Sequence, residues 1–159
     1  MKNSANFSKK SFAVYGLGLT GLSVINHFKK HSIKDFCVWD DDKGKRLKFQ
    51  KYLSKDNFSK KLDKVDHIVI SPGINLKKTK FSYKLQKNKK KIITDLDIFY
   101  QQNIKGKTIV VTGTNGKSTT CKIIEHILKK NKKAVQVGGN IGKPILNLNV
   151  KKKSFYIIE

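Results

Sequence analysis

The sequence predicts an α/β protein: a Rossmann-like domain with a parallel sheet, followed by a second α/β unit that opens on a P-loop. Three observations predict it. Short apolar runs alternate with helix-length segments along the whole chain, the pattern of βαβ units. Two of those runs are followed at once by a glycine-rich loop and then by helical spacing, at residues 16–30 and 113–128. At 159 residues the chain has room for one domain or two small ones.

The expected strands are residues 11–15, 36–39, 67–70, 91–93, 108–111, 134–137 and 155–158. Between the first two, residues 20–30 carry Leu22, Ile25 and Phe28 three apart, a helical stripe. Residues 43–64 have weak periodicity among many lysines, and a helix followed by a loop or short strand is expected there. Beyond the second glycine loop, Ile123, Ile124, Ile127 and Leu128 predict a helix with one face packed on a sheet. The expected domains are residues 1–95 and 107–159, joined by a linker at 96–106 that is polar and ends in glycine. No repeat of solenoid period is visible.

The balance of 35 basic against 11 acidic residues gives a net charge of +24. Such charge alone suggests a nucleic-acid or anionic-membrane partner. The kind of charge argues against it. Arg46 is the only arginine, and bidentate recognition of phosphates and base edges favours the planar guanidinium. The scattered lysines read as a solvated surface under codon bias, so no specific nucleic-acid partner is expected. Cys37 and Cys121 lie in unrelated segments and read as small buried hydrophobes of a reducing compartment. Residues 1–11 lack the apolar core of a signal peptide, and no run reaches membrane-spanning length. A cytoplasmic location without membrane insertion is therefore expected. His27, His31, His67 and His126 read as surface or packing residues.

Gly16-Leu17-Gly18-Leu19-Thr20-Gly21 follows a strand and opens a helix, the order that brings a helix N-terminus to a pyrophosphate. Asp40 ends the next strand, where a dinucleotide fold places an acid on the ribose. The residues alone would propose NAD. Ser71-Pro72-Gly73 reads as a turn at a strand end, with Pro72 presetting φ and Gly73 allowing close backbone approach. In the second loop, Gly113-Thr114-Asn115-Gly116-Lys117-Ser118-Thr119 can wrap phosphates in backbone N–H groups. Lys117 would reach the outer phosphates, and the hydroxyl of Ser118 or Thr119 would hold a magnesium ion. The following helix turns its positive end to the same anion. The spacing departs from the usual loop, since Val111 stands where a further glycine is expected. Residues 155–158 form an apolar strand ending in Glu159, the way nucleotide-binding folds bring a carboxylate to a metal.

The run Thr112-Gly113-Thr114-Asn115-Gly116-Lys117-Ser118-Thr119-Thr120 resembles the ATP loop of the Mur ligases, ATP-dependent amide-forming enzymes of bacterial cell-wall precursor synthesis. The shortened loop is that family's own form. The Gly16–Ser23 loop, Ile70-Ser71-Pro72-Gly73-Ile74 and Gly138-Gly139-Asn140-Ile141-Gly142 resemble further loops of the branch that adds D-glutamate. The resemblance extends over essentially the whole chain and implies the N-terminal part of a three-domain enzyme that is a monomer at full length.

The resemblance further implies a reaction. The carboxylate of UDP-N-acetylmuramoyl-L-alanine attacks the γ-phosphate of ATP, and the amine of D-glutamate displaces phosphate from the acyl phosphate. Leu19, Thr20, Asp40, Asp41, Gly73 and Asn140 are implied for the UDP-sugar. Gly113, Thr114, Asn115, Gly116, Lys117, Ser118 and Thr119 are implied for ATP, with Lys117 catalytic and Ser118 and Glu159 on Mg2+. Loss of Lys117 should cost about 10²–10³ in rate in the intact enzyme, and the 159 residues alone should show no turnover. The competing readings are another Mur ligase or the related folate polyglutamylating enzyme, a stand-alone NAD- or nucleotide-binding module, and a basic nucleic-acid-binding protein.

Overall fold

The computed structural model describes residues 7–54, 57–102 and 104–159. Residues 1–6, part of the N-terminus read as lacking a signal peptide, lie outside that description. So do residues 55–56 and residue 103, which fall in the region 43–64 and in the expected linker. The chain divides into two compact units, Met1–Ile98 and Phe99–Glu159.

The first unit has strands β1 (Phe12–Tyr15), β2 (Phe36–Trp39), β3 (His67–Ile70) and β4 (Ile92–Ile93). All pair in parallel, in the order β2-β1-β3-β4. The chain leaves β1 toward β2 on one side and returns to β3 on the other. The C-terminal ends of β1 and β3 thus flank a topological switch point, where open α/β sheets bind ligands.

Both faces of this sheet are covered, so β1 is buried at every position. On one face, helix α1 (Leu19–Lys30) packs Phe28 on Phe12, with ring centroids 4.6 Å apart. Its buried residues are Gly21, Ser23, Val24, Ile25 and Phe28. The stripe expected through Leu22 is therefore turned: Leu22 is half-buried, and Gly21 and Val24 face the sheet instead. On the other face, Ala13, Tyr15, Cys37, Ile68 and Ile70 join Phe58, Leu62, Phe81 and Leu85 in one core cluster.

Residues 43–64 differ from expectation. They form two helices, α2 (Lys43–Leu47) and α3 (Phe58–Lys64), with a 3-10 turn at Gln50–Tyr52 between them. Asn57 caps α3 by accepting from the Ser59 amide at 2.9 Å. Phe58 and Leu62, four apart, bury its inner face. Helix α4 (Ser82–Lys87) buries Leu85 alone. Helix α5 (Asp95–Tyr100) occupies part of the expected linker, with Asp97 accepting from the Thr94 amide and hydroxyl at 2.7 and 2.8 Å.

The second unit has strands β5 (Gly106–Val110), β6 (Val135–Gly138) and β7 (Ser154–Ile158), all parallel in the order β5-β7-β6. The last strand to form in sequence lies between the other two. Helix α6 (Lys117–Lys130) connects β5 to β6. Cys121 is its buried residue. Ile123 and Ile127 are 54 % and 53 % exposed, while Ile124 and Leu128 are half-buried. The expected packed face is thus the Cys121–Ile124–Leu128 stripe, and the other two isoleucines look outward. No helix among the described residues is long and apolar enough to cross a membrane.

Candidate functional site

The three glycines of the first loop stand in three different surroundings. Gly16 takes φ +102°, open to glycine and strained for other residues. A Cβ on Gly21 would lie 1.9 Å from the Gly16 carbonyl oxygen, so this glycine lets α1 close on the loop. A Cβ on Gly18 would meet nothing within 4 Å. Gly18 is the N-cap of α1, and its carbonyl accepts from the Leu22 amide at 2.9 Å. Gly73, at the end of β3, is bare in the same way. The Ser71 hydroxyl donates to the Gly16 carbonyl at 3.0 Å and holds the two loops together. Leu19 is 77 % exposed at the start of α1. Thr20 is half-buried beside it, and its carbonyl accepts from the Ser23 hydroxyl at 2.7 Å.

Asp40 is buried, and its carboxylate is engaged within the protein. One oxygen accepts from the Leu17 amide at 2.7 Å, the other from the Asp42 amide at 2.9 Å. Lys45 approaches at 3.8 Å. Asp40 therefore knits the glycine loop to the turn after β2. Asp41 is exposed and accepts from the Tyr15 hydroxyl and, at 3.3 Å, from the Trp39 indole. Arg46 donates to the carbonyls of Asp40 and Asp41 at 2.6 and 2.9 Å and lies 4.5 Å from the Trp39 ring centre. Sequence reasoning missed Tyr15, Trp39 and Thr79, which meet these loops only through folding; Ser71 was read as part of a turn, but not as the bond to Gly16. Arg46 carried a signal, as the one arginine among lysines. Burial and the neighbouring Asp41 push the Tyr15 phenol up to about 12, so it stays a donor.

In the second unit, β5 leads into the loop, and Gly116 in the left-handed region (φ 73°) turns the chain into α6. Gly113, Thr114, Asn115 and Thr119 are exposed around that helix start, and Lys117 is its first residue. The Thr120 hydroxyl donates to the Gly116 carbonyl at 2.9 Å. Glu159 follows β7 directly, beside the end of β5. Its carboxylate accepts from the Ser118 hydroxyl at 2.8 Å. The two residues expected to share a metal are thus adjacent, although 41 positions apart. Both offer hard oxygen donors, the set magnesium takes while leaving its other positions to phosphate and water. Asn140 is exposed at the same edge, its amide 3.3 Å from the Glu159 carbonyl. Gly139 serves close packing here, since a Cβ would lie 2.4 Å from that carbonyl oxygen. Among the described residues no three His, Cys, Asp or Glu side chains converge. Cys37 and Cys121 are buried and unpaired with each other, and burial pushes the Cys37 thiol up to about 11.

Comparison with known proteins adds independent findings. The family model of the Mur ligase MurD-like N-terminal domain matches residues 10–94, and that of the Mur ligase middle domain matches residues 111–155. A UDP-N-acetylmuramoylalanine--D-glutamate ligase of Wolbachia sp. subsp. Brugia malayi is 40% identical over 98% of this chain and 32% of that protein. Ligases of the same name from Wolbachia pipientis wMel and Rickettsia bellii are 35% and 37% identical, over 96% and 95% of this chain and 31% and 34% of theirs. The chain spans about a third of the length of these curated relatives. A solved pseudomurein peptide ligase type C from Methanothermus fervidus aligns over 94% of this chain and 32% of that one, at 23% identity and a TM-score of 0.43.

Proposed function

The chain belongs to the Mur ligase family, in its MurD-like branch, and from that premise we propose that it is the substrate- and phosphate-binding part of an enzyme joining D-glutamate to UDP-N-acetylmuramoyl-L-alanine. The observation that supports this most is the Ser118–Glu159 contact at the start of α6. It brings a loop hydroxyl and a strand-end carboxylate together where ATP phosphates and Mg2+ would meet. Gly113, Thr114, Asn115, Gly116 and Thr119 line the phosphates through backbone and hydroxyl groups. Lys117 neutralises charge on the transferring phosphoryl group, a reaction governed by positioning and electrostatics. Mg2+, when bound by Ser118 and Glu159, supplies further charge neutralisation. The substrate carboxylate takes the γ-phosphoryl group with loss of ADP, and the amine of D-glutamate then replaces phosphate to leave the amide.

On the first unit, Leu19, Thr20, Gly73 and the Asp40–Asp41 turn take the UDP portion. An NAD site would call on the Asp40 carboxylate for the ribose. Here each of its oxygens accepts one loop amide and keeps a further acceptor site, so it is the match to the MurD-like N-terminal domain over residues 10–94 that favours UDP. Trp39 is the one tryptophan and stands beside Asp40. Its fluorescence gives the test: titration with UDP should shift it saturably, and NADH should not compete. Saturable NADH binding with no response to UDP would overturn the reading in favour of a dinucleotide module. The enzyme so described works in the cytoplasm, where its nucleotide substrates are made.

A further inference from the structure

We infer that Tyr15 is a positioning residue for the sugar-nucleotide site, setting the separation of its two ligand-facing loops. The inference rests on the UDP reading above and adds to it a residue outside the loop motifs. Tyr15 is the last residue of β1, immediately before the glycine loop, and is fully buried. Its ring packs against Phe58 and Phe81 at 6.1 and 5.5 Å between centroids, contacts a phenylalanine would make equally well. Burying the hydroxyl costs free energy unless it is hydrogen-bonded, and its two partners lie on different loops. Asp41 belongs to the turn after β2. Thr79 belongs to the loop after β3 that also carries Gly73.

Proton counting orders the chain. A carboxylate only accepts, so the single Tyr15 proton goes to Asp41. The Thr79 hydroxyl must then donate to the Tyr15 oxygen, and Thr79 in turn accepts from the Phe81 amide at 3.2 Å. The result is one directed relay, Phe81 to Thr79 to Tyr15 to Asp41. Trp39 closes it: its indole donates to Asp41 at 3.3 Å, its ring meets Phe81 edge-on at 5.8 Å, and the Lys80 ammonium sits 4.4 Å from its centre. The turn carrying Asp40 and Asp41 is thereby tied to the loop carrying Gly73, and a ligand touching both finds their spacing preset.

The test is calorimetric titration of the 159-residue chain with UDP, using Tyr15→Phe, Thr79→Val, the double variant and Thr79→Ser. Tyr15→Phe and Thr79→Val should each weaken UDP about tenfold, the scale of a lost charge-assisted or buried hydrogen bond. The double variant should fall short of the product of the two losses, because both break one relay. Thr79→Ser keeps the hydroxyl and should bind as the parent does. Parent-like affinity in Tyr15→Phe, or losses that multiply, would overturn the relay and leave the UDP site standing. Absence of UDP binding by the parent chain would overturn both.

Discussion

The two units begin from the same recipe, a parallel strand, a glycine loop and a helix, and complete it differently. In the first, β1 is buried at every position and its sheet is covered on both faces by α1, α3 and α4. Its loop is internally bonded: Asp40 holds Leu17, Ser71 holds Gly16, and Tyr15 ties Asp41 to Thr79. In the second, β5 is exposed or half-buried along its length and α6 turns Ile123 and Ile127 to the surface. Its loop is open, with the Ser118–Glu159 contact as its long-range side-chain hydrogen bond. The difference teaches that one motif can be used in two ways. The first loop is prebuilt by its own scaffold, whereas the second leaves its backbone and hydroxyls largely exposed.

The largest effect that could break this comparison is a cavity in the covered unit. Leu62 is wholly buried on α3, and Leu62→Ala should destabilise the first unit by about 3–5 kcal/mol. Urea unfolding followed by Trp39 fluorescence reports that unit, since the one tryptophan lies in it. A loss below about 1 kcal/mol would show that α3 does not seal the sheet.

A middling effect comes from pH. Burial first, then the charges of His31 and Lys30, pull His27 on α1 down from 6.5 to about 4. Its folded pKa lies below its unfolded one, so the unfolded chain takes the proton first. Stability from the neutral ring is therefore complete above about pH 6.5 and fades as pH falls toward 4. His27→Gln should flatten the pH dependence of the Trp39 unfolding midpoint across that window, and an unaltered slope would remove His27 as its source.

The smallest effect belongs to the open unit. Ile127→Ser on the outward face of α6 should change stability by no more than about 0.5 kcal/mol, read by circular dichroism through urea unfolding. A cost comparable with that of Leu62→Ala would show that this face is covered.

Much of this was legible in the sequence, and the reasons differ by element. The expected strands stand out because short apolar runs are bracketed by glycine, charged or hydroxyl residues, and the structure shifts their ends by at most two residues. Helix α3 was not legible, because Phe58 and Leu62 are only two apolar positions among lysines and their burial depends on β1 and β3. The stripe on α6 was readable as a helix, but spacing cannot say which isoleucines a neighbour will cover. For the site, the loops and Glu159 announced themselves by residue type. The Asp40 bond to Leu17 and the Tyr15–Thr79 contact, 64 positions apart, arise only from strand order.

The account's central claim is that the first glycine loop divides its labour, Gly21 serving the fold and Gly18 the ligand. The direct measurement is thermal unfolding together with UDP titration of Gly18→Ala and Gly21→Ala. Gly21→Ala forces a Cβ against a backbone oxygen and should cost about 3 kcal/mol of stability. Gly18 has φ −74° and open space around it, so Gly18→Ala should cost no more than about 1 kcal/mol, the scale of a helix-cap change, while binding UDP at least about tenfold more weakly. Parent-like UDP affinity in Gly18→Ala would contradict the claim, because the bare backbone would then have no ligand to receive.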